Sequence, residues 1–159
     1  ETDRILSLLK NITVEVITKT DSFCSIKVEN VLKIDFVNDT GKCPDDFLKN
    51  QIFSKVDTIQ RILANKISAL LGRDDAKDIV DLWIISTHEK IIWEKIFTDI
   101  SSRAAGIFPP YVAEKITTFP INLLETIKWI PGKKPDPAHV QKDLLSIADD
   151  ILKTKEKIA

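Results

Sequence analysis

Lys66, Asp78 and Asp81 are the residues whose types and spacing point to chemistry. On a helical wheel over residues 58–71, Ile59, Ile62, Leu63, Ile67 and Leu70 form one apolar stripe, and Lys66 falls inside it. Arg61, Asn65 and Ser68 take the wet face. An ammonium turned toward a core is costly unless its charge is paired or it reaches a cleft. The plainer reading is snorkelling, with the stem on apolar surface and the charge in water. Asp78 and Asp81 stand on one side of the next helical stretch, among Ile79, Val80, Leu82, Trp83, Ile84 and Ile85. Two carboxylates in that much apolar surface repel each other unless a cation lies close. Lys66 is the first candidate, and Arg73 and Lys77 are the others. Two readings stay open. One is a buried ion-pair cluster that fixes the register of two helices. The other is a cleft where Lys66 meets phosphate and the acids handle a metal or a proton. Asp35 adds a third element, on the strand face opposite Leu32, Ile34 and Phe36. Facing the same cleft, it would complete a divalent-metal site, but a carboxylate on a wet sheet face is also ordinary.

The elements that must position these residues follow from the periodicity. Residues 1–10 read as a short amphipathic helix. Three strands are predicted at 12–18, 23–28 and 31–37, with short links, which makes an antiparallel meander the simplest arrangement. Ile12, Val14 and Val16 share one face of the first strand, and Cys24, Ile26 and Val28 one face of the second. Residues 38–50 are turn chemistry, with Cys43 and the Asp45, Asp46 pair expected in solvent. From Asp57 the period changes to 3.6. Helices are predicted at 58–71, stopping at Gly72, at about 75–86 and at about 88–102. Shorter helical pieces broken at Pro120 fill 111–130, and a last helix is capped by Asp136 and opened by Pro137. The fold class is therefore α+β. A small, mostly antiparallel sheet portion over 1–56 is followed by a helical portion over 57–159, packed on the sheet as one unit.

Composition narrows the function classes. The 159 residues are 43% apolar and 30% charged, with 23 basic against 24 acidic side chains. That is one globular domain able to bury a core without disulfides. The even balance speaks against a strongly basic nucleic-acid binder, although a local basic patch is compatible with it. No apolar run approaches the roughly 18 residues of a membrane span, and no signal peptide opens the string. Two Cys, 19 residues apart, and two His make no zinc pattern. Reduced thiols and a cytoplasmic location are expected, with no membrane partner. His88 and His139 are isolated in the sequence, and Cys24 alternates with core positions.

The run from Lys66 through Ala69, Arg73, Lys77, Asp78 and Asp81 to Leu82 resembles the Lys-x-x-Ala…Arg…(Lys/Arg)-Asp-x-x-Asp-Leu signature of the AbiEii/AbiGii nucleotidyltransferase-like toxin family. A short sheet with a Leu-Lys-Ile-Asp-Phe strand before it is similar in order, so the likeness covers roughly residues 1–100. The resemblance implies a polymerase-β-like nucleotidyltransferase fold. It also implies transfer of a nucleotide from a nucleoside triphosphate to an acceptor, with Mg²⁺. Several members are toxins of bacterial toxin–antitoxin pairs and some modify tRNA, so the implied partners are a cognate antitoxin and a tRNA or protein acceptor. By position, Lys66 is the signature lysine near the triphosphate, with Arg73 beside it as a second cofactor-binding residue. Asp78 and Asp81 are the acids of the second signature helix, one of them needed for activity, and Asp35 is the metal-binding sheet carboxylate. The family's opening Gly-Gly or Gly-Ser turn and its Asp-x-Asp strand have no counterpart here, where the glycines are 41, 72, 106 and 132. A string that starts at Glu1 and holds no Met is expected to be part of a longer protein that carries them.

Three functions follow as expectations. The first is a nucleotidyltransferase core, with an open cleft holding Lys66, Asp78 and Asp35. The second is a non-catalytic binding module on the same fold, with Lys66 sealed in ion pairs with Asp78 or Asp81 and no cavity beside them. The third is a helical interaction domain with Trp93, Phe97, Phe108 and Tyr111 as exposed anchors, although aromatics at helical spacing more often bury their area.

Overall fold

Alternation in the first part of the chain becomes a three-stranded antiparallel sheet in the computed structural model, which describes residues 2–38, 47–52, 55–103 and 106–155. Helix α1 (Thr2–Leu8) precedes strands β1 (Val14–Lys19), β2 (Phe23–Val28) and β3 (Leu32–Val37), paired in the order β1-β2-β3. The meander read from the sequence is the observed topology. A register irregularity between Val16 and Thr18 interrupts the alternation of β1, whose residues after Val14 are exposed. In β2, the middle strand, Cys24, Ser25 and Ile26 are all buried, which includes the expected buried thiol. Glu29 and Asn30, both at positive φ (49° and 58°), turn β2 into β3. Left-handed residues at a tight turn match the twist of the strands they join. Cys43, Asp45 and Asp46 lie outside the described residues.

The chain divides into two compact units, residues 1–41 and residues 42–159. The first holds the sheet. The second is a helical array: α2 (Ile59–Gly72), α3 (Ala76–His88), α4 (Trp93–Arg103), α5 (Pro109–Thr117), a 3-10 turn (Ile121–Thr126) and α6 (Pro137–Lys155). A small antiparallel sheet followed by a helical half makes the protein α+β. The helical core joins Leu63, Ile67 and Leu70 of α2 to Ile79 and Leu82 of α3, with α4, α5 and α6 around them. Pro in the first turn of α5 and of α6 occupies positions whose backbone N–H would have no intrahelical partner.

Three sequence expectations need correction. The third helix begins at Trp93, not near His88, because α3 runs on to His88 and its C-cap Glu89 closes it. On α2 the buried residues are Arg61, Leu63, Ala64, Ile67 and Leu70, whereas Ile59 and Ile62 are partly exposed. The inward face is therefore rotated from the apolar stripe, because α2 packs against both α3 and α4 and their combined surface selects the face. Arg61, expected in solvent, is 6% exposed. Its Nε lies 3.3 Å from Asp57 Oδ1, and its guanidinium carbon lies 4.6 Å from the centre of the Phe47 ring. An aromatic face and a carboxylate together make burial of that cation tolerable.

Candidate functional site

Local sequence builds the α2–α3 corner. Thr58 caps α2 by accepting the Arg61 N–H at 3.2 Å. The Arg73 N–H donates to Ala69 O at 3.1 Å at the other end of that helix. Only Asp74 and Asp75 then separate Arg73 from α3, and Asp75 caps α3 by accepting the Lys77 N–H at 2.9 Å. So short a link folds the end of α2 against the start of α3. Lys66, nearly two turns before the end of α2, then comes level with the first turns of α3.

Asp78 is the centre of the cluster at that corner. It is 1% exposed and sits in the first turn of α3, where the partial positive charge of the helix end favours a carboxylate. Lys66 Nζ donates to its Oδ1 at 3.1 Å, and Arg73 Nε donates to its Oδ2 at 2.7 Å. Both carboxylate oxygens are thus engaged by a cation. Burial pushes the Asp78 carboxyl up, but the hydrogen bonds from Arg73 and Lys66 outweigh it and hold the group below its usual value. Asp81 completes the group with Oδ2 2.6 Å from the same Lys66 ammonium, and its side chain is 45% exposed. Lys66 is 28% exposed. Burial works against its charge, yet the hydrogen bonds it donates to Asp81 and Asp78 prevail and raise it above its ordinary value. Arg73 is mostly exposed, and its bond to Asp78 holds it still more firmly protonated.

The four residues Lys66, Arg73, Asp78 and Asp81 therefore form one connected ion-pair cluster. Its formal charge is balanced. Lys77, the remaining candidate cation, is exposed and lies outside these pairs. The expectation that Lys66 is paired with the two aspartates is met. Snorkelling alone does not describe it, because both of its carboxylate partners lie within 3.1 Å.

Asp35 belongs to the other unit and has local partners. It faces Ser25 across the β2–β3 ladder, and Lys33 Nζ donates to its Oδ2 at 3.2 Å. The Ser25 hydroxyl and then the Lys33 ammonium hold its carboxyl below the usual value. Among the described residues no group of three His, Cys, Asp or Glu side chains is placed to hold a metal ion. An ammonium and an exposed guanidinium stand on the two oxygens of one carboxylate.

Two polar arrangements had little signal in the sequence. Trp83 Nε1 donates to Asp143 Oδ2 at 2.8 Å, tying α3 to α6, and His139 Nε2 lies 3.4 Å from the same oxygen. The only hint was that an indole N–H in a buried setting needs an acceptor. His139 is thus less isolated than its sequence position suggests, whereas His88 makes local contacts to Ile84 O and the Thr87 hydroxyl. The second arrangement is the contact of Arg61 with Phe47 described above. A cavity of about 240 Å³ near the start of α2 is lined by Arg61, Lys95 and Asp99 among others, away from the cluster. Of the four aromatic anchors expected for a docking surface, Phe97 is buried and Trp93 packs on the core, while Phe108 and Tyr111 are exposed.

Among the described residues no helix is long and apolar enough to cross a membrane. No family model, curated protein or solved structure matches the chain.

Proposed function

We propose that the helical unit supplies the nucleotide-facing half of a nucleotidyltransferase of the AbiEii/AbiGii type, acting as the toxin of a toxin–antitoxin pair on a tRNA or protein acceptor. The observation that carries this reading is the convergence of the signature residues. Lys66, Arg73, Asp78 and Asp81 resemble the family's pattern by spacing, and they are linked by contacts of 2.6–3.1 Å around one buried carboxylate. Periodicity alone does not require four such residues to meet.

In this reading each residue has its own role. Asp78 positions two cations, because its buried oxygens fix the Lys66 ammonium and the Arg73 guanidinium side by side. Lys66 neutralises charge that builds on the phosphate during transfer, a contribution that grows in a partly desolvated setting. Arg73, on the exposed side, binds a second phosphate oxygen.

The test is incubation of the natural full-length protein with Mg²⁺, each labelled nucleoside triphosphate in turn and total tRNA. Label is expected to move to RNA or protein, and Lys66→Ala is expected to reduce transfer by about a hundredfold or more. Transfer unaffected by Lys66→Ala removes that residue from the mechanism.

A second reading has its own observation. Both hydrogen-bond partners of Lys66 are carboxylates of its own chain, as a register clamp in a non-catalytic binding module requires. Absence of transfer by the full-length protein, with stability lost on Lys66→Ala, favours that module.

A further inference from the structure

We propose that Asp81 is an exchangeable counter-ion for Lys66, holding the ammonium in the resting protein and yielding its place to a phosphate oxygen of a polyphosphate ligand, while Asp78 stays bonded to Lys66 and Arg73 throughout. The inference rests on the anion-facing role given to Lys66 above, and it separates the roles of two acids that the sequence presents as a pair.

The separation comes from their surroundings. Asp78 is buried and accepts from two cations, one on each oxygen. Losing either donor would strand part of a charge away from water, so those bonds persist. Asp81 is nearly half exposed, and among the described residues its ion pair is with Lys66 alone. Once released it is hydrated at little cost. Lys66 is the less exposed partner of that pair and needs an acceptor in place of Asp81. A phosphate oxygen of higher charge supplies one along the path that Asp81 leaves. Arg73, with its guanidinium mostly in solvent on the far oxygen of Asp78, lies ready for a neighbouring phosphate. The carboxylate thus imitates the ligand until the ligand arrives, and it sets a threshold on affinity.

The test uses the full-length protein and inorganic tripolyphosphate without metal, titrated by calorimetry at low ionic strength. The wild type is expected to bind. Asp81→Asn is expected to lower Kd by about threefold to fivefold, the worth of one exposed charge pair. Asp149→Asn changes net charge equally at an exposed pair with Lys153 on α6, and it is expected to leave Kd unchanged. In a Lys66→Ala or Lys66→Gln background, titrated at a temperature where circular dichroism shows the variant folded, Asp81→Asn is expected to give no gain. Equal Kd for wild type and Asp81→Asn overturns the exchange. So does an equal gain from Asp149→Asn, or a gain that persists without Lys66. Binding by neither wild type nor Asp81→Asn overturns the anion-facing role of Lys66 as well, which distinguishes the two failures.

Discussion

Arg73 Nε lies 2.7 Å from Asp78 Oδ2, so the residue that ends one helix is bonded to a buried carboxylate in the first turn of the next. This contact spans only five positions in the chain, yet it fixes how α2 and α3 meet. Lys66 then holds the other oxygen from farther back along α2. The corner is defined by charge as much as by the apolar packing of Leu70 and Ile79 behind it.

Removing Asp78 is therefore expected to cost more than removing either of its neighbours. Asp78→Ala leaves Lys66 with Asp81 and leaves Arg73 to the solvent, at a cost of about 2–3 kcal/mol. Lys66→Ala leaves Arg73 on Asp78, at a cost of about 1–2 kcal/mol. Urea unfolding of both variants and of the double variant measures the coupling, expected at about 1 kcal/mol or more because the two groups touch. Additive losses would mean the pair is not formed in solution.

The same cluster gives a pH dependence with a definite sign. The Asp78 carboxyl is held below its ordinary 3.8 in the folded protein. Its contribution is fully present above that value and is lost as pH falls through the lower folded value. Lys66 is raised above its ordinary 10.5, so its contribution is present below that value and is lost as pH rises through the folded one. Stability against urea is expected to fall below about pH 4 and again above about pH 10.5. Asp78→Asn should flatten the acid limb, and an acid limb identical to that of the wild type would assign it to other carboxylates.

Arg61 is expected to tolerate neither shortening nor loss of its aromatic partner. Arg61→Lys keeps the charge but loses the guanidinium placed over the Phe47 ring and its close ion pair with Asp57, at a cost of about 1–2 kcal/mol. Phe47→Leu is expected to cost about 0.5–1 kcal/mol and to make Arg61→Lys less damaging than in the wild type. Thermal melts of the three variants decide this. Equal effects of Arg61→Lys in both backgrounds would show that the ring contributes nothing.

Trp83→Phe removes the one indole donor that Asp143 accepts, across 60 positions of sequence. The expected loss is about 1 kcal/mol, with most of the ring's apolar contact kept. Asp143→Asn is expected to shift the fluorescence of Trp83 while leaving helix content unchanged. An unchanged emission spectrum would mean the α3–α6 bond is absent in solution.

Much of the arrangement was legible beforehand because it is local. Alternation over 12–37 with short links leaves a meander as the simplest topology. Thr58, Asp75 and Pro137 mark helix starts through the backbone groups they satisfy or lack. The meeting of Lys66 with Asp78 and Asp81 was also open to inference, since a short turn between two helices brings those turns level. The rotation of α2 was not. A helical wheel gives the angles between side chains but not which angle faces inward, and Ile59 and Ile62 made the wrong sector look apolar. Packing against α3 and α4 turned Arg61 inward instead, where Phe47 and Asp57 receive it. The unequal exposure of Asp78 and Asp81 was likewise decided only in three dimensions, by what covers each one. Sequence alone determined the order of elements and the charged residues carried by the corner, because propensity and spacing are properties of neighbouring residues. The folded chain decided which charges are sealed and which remain in contact with water, because burial is a property of everything that packs around them.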